Sequence, residues 1–196
     1  MGRGGEFSRF PPIMTTVLFL LANGFEELEF VAPYDILHRG GVKVQTASIT
    51  DKKEVTGSHN ITVVADSLLS QIEAVLFDML VLPGGGPGTE NLLKSDLVKK
   101  LLLKSYEAGN KIAAICAAPK VLASAGILKD HEATSFPATR AEVEPFCKKY
   151  LDVPVVVSGD IITSRGAGTA AEFGFCLLSV LETLDLAEEV KRKMKF

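Results

Sequence analysis

One cysteine, Cys116, stands where an apolar run, "KIAAIC", meets a helix-like one, "APKVLASAGIL". The alanines around it permit a tight strand-to-helix turn, and Pro119 suits the first turn of a helix, where its missing N–H costs little. A thiol held on such an elbow caps a helix N-terminus, which lowers its pKa and favours the thiolate that attacks carbonyls or peroxides. Cysteine also serves as a small buried hydrophobe, and the elbow context favours the nucleophile here. Cys147, in "EPFCKKY", and Cys176, inside the last helical run, lack that context and read as packing residues.

A nucleophile needs a proton partner and a place for developing negative charge. None of the three histidines fits the first role from sequence: His38 lies on a helix, His59 in a short excursion, His131 in the charged turn "KDHEA". Where a triad histidine could follow the strand-like "EATSF", the residue is Phe136. A Cys-His-acid hydrolase is therefore disfavoured. The remaining candidates are the acids of "NGFEELEF". Glu26 and Glu27 suit the first turn of a helix, whereas Glu29, followed by Phe30 and Val31, is the one placed to turn inward. The run "LPGGGPGTENL" supplies Gly84, Gly85, Gly86 and Gly88, which let backbone N–H groups approach a ligand. It lacks the Lys-Ser/Thr of a phosphate loop, so an oxyanion site is as good a reading as a phosphate site. "SRGAGTAA" matches the glycine spacing of a dinucleotide fingerprint, but too little chain follows for a second strand. It reads as tight helix–strand packing, with Arg165 as a salt-bridge or anion partner.

The elements that must position these residues alternate along the chain. "TTVLFLL", "EELEFVAPYDILHRG" and "VKVQTASI" form a β-α-β pattern, and "DMLVLPGGG", "SDLVKKLLLKSYEAGN", "KIAAIC" and "APKVLASAGIL" repeat it. The strands are apolar throughout rather than at every second residue, which predicts an α/β fold with a mostly parallel sheet covered by helices on both faces. "GSHNITVVAD" reads as a small antiparallel excursion, "VPVVVSGDIITSRG" as a hairpin, and "TAAEFGFCLLSVLETL" as a last long helix. Ligands of such sheets gather outside the carboxyl ends of the strands, where all three informative segments fall.

The chain has 196 residues, 47% of them hydrophobic, and a formal net charge of -3. Its charges are interspersed, without a basic block, so nucleic acid is a poor partner, and no apolar run is long enough to cross a bilayer. Three widely spaced cysteines form neither a disulfide framework nor a metal signature, which points to a reducing, cytoplasmic compartment. Residues 1–13, "MGRGGEFSRFPPI", read as an expression-derived leader or an unstructured extension, with a targeting peptide as the alternative, leaving 14–196 as one domain.

Taken in order, "GFEELE", "LPGGGPGTENL", "AAICAAP" and "TSRGAGTAAEFG" resemble the ThiJ/PfpI superfamily, in the branch of the Parkinson's-disease-associated deglycase and its YajL-type bacterial relatives. The resemblance implies a flavodoxin-like three-layer α/β/α sandwich, a homodimer and no cofactor or metal. It further implies a reactive cysteine matching Cys116, a protonated glutamate bonded to it matching Glu29, and backbone donors matching Gly85 and Ala117. Arg39 matches a basic residue that relatives place near the site at the dimer interface. His59 falls where another member has arginine, and Phe136 where some have histidine. PfpI-type proteases carry histidine after the cysteine; Ala117 here argues against proteolysis.

The implied activity is a cofactor-independent conversion of small dicarbonyls, methylglyoxal or glyoxal, to hydroxy acids, or repair of glycated protein. A redox-sensing stress protein or chaperone acting through oxidation of Cys116 is the alternative. A relative without activity is the third reading.

Overall fold

The computed structural model describes residues 14–72 and 75–196. The expected leader at 1–13 lies outside the described residues. The first strand, β1 (Thr16–Leu21), leads into α1 (Glu27–Arg39) and β2 (Lys43–Ser48). A short pair, β3 (Glu54–Thr56) and β4 (Thr62–Val64), is antiparallel and forms its own two-stranded sheet, as "GSHNITVVAD" predicts. Then come β5 (Ser67–Leu68), α2 (Leu69–Ile72), β6 (Met79–Leu82), α3 (Gly86–Leu93), α4 (Asp96–Glu107), β7 (Lys111–Ile115) and α5 (Pro119–Ser124). The last part holds β8 (Glu132–Ala133), α6 (Arg140–Val143), β9 (Lys149–Tyr150), β10 (Val155–Ser158), β11 (Ile161–Ser164), α7 (Ala170–Leu181) and α8 (Leu184–Met194).

Seven strands form the main sheet in the order β10-β11-β7-β6-β1-β2-β5, parallel except for the edge hairpin of β10 and β11. The unbroken apolar run of β1 follows from burial on both faces. Val17, Phe19 and Leu21 enter one core with α1 and α7, while Leu18 and Leu20 enter the other with α4 and α5. The chain leaves β1 toward β2 on one side and later returns to place β6 on the other. The β1–β6 boundary is therefore the switch point at which open α/β sheets leave a crevice at their carboxyl ends.

Two expectations are corrected. "EATSF" is a strand only over Glu132–Ala133, which pairs with β9 in a separate two-stranded sheet. Beyond it the backbone bonds elsewhere: the Thr134 amide donates to Thr163 Oγ1 (2.9 Å) and the Phe136 amide to the Cys116 carbonyl (2.7 Å). The last expected helix, "TAAEFGFCLLSVLETL", forms as α7 but ends at Leu181, because Thr183 turns extended and its side chain accepts from the Leu186 amide, starting α8 afresh.

Candidate active site

The carboxyl ends of β1, β6 and β7 each deliver one part of the site. After β1, the Glu26 side chain caps α1 by accepting from the Glu29 amide at 2.8 Å. Phe30 packs edge-on against Phe19 and Phe25, with centroids 5.5 and 5.6 Å apart. These contacts fix the first turn of α1 and turn Glu29 inward, where it is 1% exposed. After β6, the Gly84 amide donates to Glu29 Oε2 at 2.9 Å. A side chain at Gly84 would collide with that oxygen, with Cys116 Cβ and with the Ile115 carbonyl, so only glycine fits. After β7, Cys116 adopts a left-handed backbone with φ of 65°, one of three such non-glycine residues among those described. This is the elbow: strain that a non-glycine residue accepts when its surroundings fix it. Its amide donates to the Ser164 carbonyl at 2.9 Å, so β11 holds it from the far side.

Burial pushes the Glu29 carboxyl up to about 7; the Cys116 thiol and the Gly84 and Ala167 amides pull it down, and the Glu26 charge adds to the rise. Its Oε1 is buried without a formed hydrogen bond. Burial also pushes the Cys116 thiol up, to about 12, followed by the charge and hydrogen bond of Glu29, while the Gly85 and Ala117 amides favour the thiolate. The lowered thiol pKa expected of a helix N-terminus is thus overturned. α5 begins only at Pro119, is six residues long, and its amides do not offset the loss of water and the neighbouring carboxylate. A neutral Glu29 removes the opposing charge, so the titrations of the two groups are coupled.

The remaining basic candidates are distributed differently. Arg39 lies ten residues along α1 from Glu29, about 15 Å away, and its guanidinium bonds Asp35 at 2.7 Å. Arg165 is bound to Asp152, although its neighbour Gly166 lines the site. His59 pairs with Glu27, two residues before Glu29 on α1, through Nδ1 and Oε2 at 2.8 Å. The Glu27 carboxylate also accepts from the amides of His59 (2.6 Å) and Ile61 (3.4 Å) and from the Ser58 hydroxyl (3.2 Å). Burial raises its pKa, yet these bonds outweigh that and hold it at about 2. Potential ligand atoms of Glu26, Glu27 and His59 lie within 4.8 Å of one another, but a metal there would have to displace donors that already satisfy Glu27. His131, expected at the surface, is half-buried and bridges the Tyr106 hydroxyl (3.1 Å) and the Ser158 carbonyl (2.7 Å).

The model of the DJ-1/PfpI family matches residues 15–180. The chain belongs to that family. It is 37% identical over 177 residues to Protein dj-1beta of Drosophila melanogaster, covering 90% of this chain and 95% of that protein. To Deglycase PH1704 of Pyrococcus horikoshii it is 34% identical over 149 residues, 76% of this chain and 89% of that one. Among solved structures, Toxoplasma gondii DJ-1 in an oxidized form superposes with a TM-score of 0.89 at 33% identity, covering 93% of this chain and 98% of that one. The DJ-1 fold is therefore the fold of this chain, as the motif resemblance implies.

Two site residues were not anticipated from the sequence in the roles they occupy. Gly84 anchors Glu29 through its amide, and Ala167 presents an amide to the same carboxyl from the segment before α7. Both act through backbone N–H groups, so neither side chain advertises the role. The only signal for Gly84 is the glycine itself between Pro83 and Gly85.

Proposed function

We propose that this DJ-1/PfpI family member converts 2-oxoaldehydes such as methylglyoxal and glyoxal to 2-hydroxy acids without a cofactor, in defence against carbonyl stress. The observation that carries the reading is the buried Glu29 carboxyl, with its proton affinity raised to about 7, beside a thiol on a left-handed elbow. A group titrating near neutrality both gives and takes protons at little cost. A named deglycase among the relatives points the same way.

In the first step the Cys116 sulfur bonds to the aldehyde carbon as its proton passes to the Glu29 carboxylate, and the carbonyl oxygen takes up the electron pair. The Gly85 and Ala117 amides receive the developing oxyanion, which Glu29 then protonates. Glu29 next removes the hydrogen of the thiohemiacetal carbon as a proton and returns it to the neighbouring keto carbon, while the thiohemiacetal hydroxyl proton passes to the former keto oxygen. One carbon is oxidised and the other reduced, leaving a thioester. Water cleaves the thioester, releasing lactate and restoring the thiol, so the net change is addition of one water. Arg39, His59 and Arg165 are assigned to substrate or anion contacts, with Arg39 supplied across a homodimer. α1 carries the exposed Leu28 and Val31 that a second copy would cover. Glycated protein is a second substrate class, and the cytoplasm is the compartment assigned from the cysteine pattern.

Lactate formation from methylglyoxal without glutathione tests the reading. Cys116→Ser should abolish turnover, and Glu29→Gln should lower kcat/KM by about 10²- to 10⁴-fold. A wild-type chain that makes no lactate above buffer overturns it. A redox-sensing role through Cys116 is then favoured, in line with a relative solved in an oxidized form.

A further inference from the structure

On one side the Cys116 sulfur faces Gly166, with the Phe136 ring beyond it. Phe136 is 45% exposed, yet its backbone is fixed: its amide donates to the Cys116 carbonyl at 2.7 Å, and its carbonyl accepts from the Thr139 amide and hydroxyl, both at 2.9 Å. An exposed ring on a backbone bonded to the nucleophile's own carbonyl is a wall held in register with the sulfur. Gly166 lies between them. A side-chain carbon at Gly166 would stand 3.4 Å from Phe136 Cδ2 and 4.0 Å from Cys116 Sγ, in contact with both. The missing side chain leaves a notch bounded by the sulfur on one side and the ring on the other. Elsewhere the sulfur meets polar or filled space: the Glu29 carboxyl and the Gly85 and Ala117 amides. Gly84 fills the space beside Cys116 Cβ.

We propose that Phe136 sets the specificity of the site, its ring receiving the apolar substituent of the substrate through the Gly166 notch, so that aryl 2-oxoaldehydes are preferred over glyoxal. The inference rests on the 2-oxoaldehyde reading for its substrate, and on the notch alone for its geometry. A carbon bonded to Sγ has its next substituent directed either at polar groups or at the ring. Glyoxal has only hydrogen to place there and gains nothing from the ring. A phenyl or larger alkyl group gains burial and, for phenyl, an edge or offset ring contact.

Two measurements on the full chain test this. The first is the ratio of kcat/KM for phenylglyoxal to that for glyoxal in the wild type, Phe136→Leu and Phe136→Ala. The second needs no turnover: the ratio of alkylation rates of Cys116 by N-phenyl-iodoacetamide and iodoacetamide, followed on the Cys116 peptide. Phe136→Ala should lower both ratios about tenfold, with Phe136→Leu in between. Unchanged ratios in Phe136→Ala overturn the proposal even where glyoxal is turned over, leaving the activity intact. Failure of the wild type to turn over any 2-oxoaldehyde, with the alkylation ratio still falling in Phe136→Ala, overturns the activity and keeps the aromatic subsite.

Discussion

Glu29 binds its proton more tightly in the folded chain than in the unfolded one, and this has a consequence for stability. The carboxyl moves from an ordinary 4.5 to about 7 because folding removes its water. The folded state therefore holds more protons than the unfolded state between these values, and stability falls as pH rises through that window. At about 1.4 kcal/mol for each tenfold, the loss is roughly 3 kcal/mol. Denaturant unfolding of the wild type at pH 4.5 and pH 8 should show this loss, and Glu29→Gln should remove most of it. Equal slopes in the two proteins would mean that Glu29 titrates normally. Glu27 has the opposite sign: its pKa is held at about 2, so its contribution is full above 4.5 and is lost as acid approaches 2. The windows do not overlap, so the two carboxyls are separable by pH. That Glu29 turns inward was legible in the sequence, from the Phe30 and Val31 that follow it. The direction of the thiol shift was not. It depends on burial and on a carboxyl 87 positions away in the chain, and the local elbow pattern around Cys116 contains neither.

Among the elements, α1 carries the site at its first turn and the β3–β4 excursion is tied to that turn. Glu27 is 7% exposed and accepts the amides of His59 and Ile61, so the turn between the two strands hangs on one carboxylate. Glu27→Ala leaves these amides without their partner and should cost about 1 to 3 kcal/mol. Hydrogen exchange at the His59 and Ile61 amides should quicken by at least tenfold, a readout that a general loss of stability would not confine to this turn. The alternation of apolar runs was enough to place β1, α1, β2, β6, α4 and β7: β1, β6 and β7 are buried on both faces and almost wholly apolar, whereas β2 keeps Lys43 and Gln45 at its less buried start. The break between α7 and α8 was not legible, since "ETLDL" continues the helical spacing of apolar residues. Only the Thr183 cap shows where the chain stops and restarts. The shortness of β8 escaped for a related reason: the amides after it bond to side chains and to Cys116 rather than to a strand.

Across the whole molecule, β1, β6 and β7 are the inner strands that carry the site, and the residues of β1 and β6 are buried almost throughout. Their amides should exchange slowest, close to the global unfolding limit, and those of β3 and β4, a separate pair with exposed Ile61 and Val64 nearby, much faster. Uniform protection across both sheets would contradict this hierarchy. Among the described residues no helix is long and apolar enough to cross a membrane. The Cys116 amide is bonded to the carbonyl of Ser164, which is added to the chain 48 residues later. At synthesis rates of about 5 to 20 residues per second, the growing chain therefore carries this cysteine for roughly 2 to 10 seconds before β11 exists to flank it. Glu29 and Gly84 are made before the cysteine, so its proton partner is ready first. The elbow around Cys116 is therefore completed late in synthesis, because its amide has no β11 partner until Ser164 has been added.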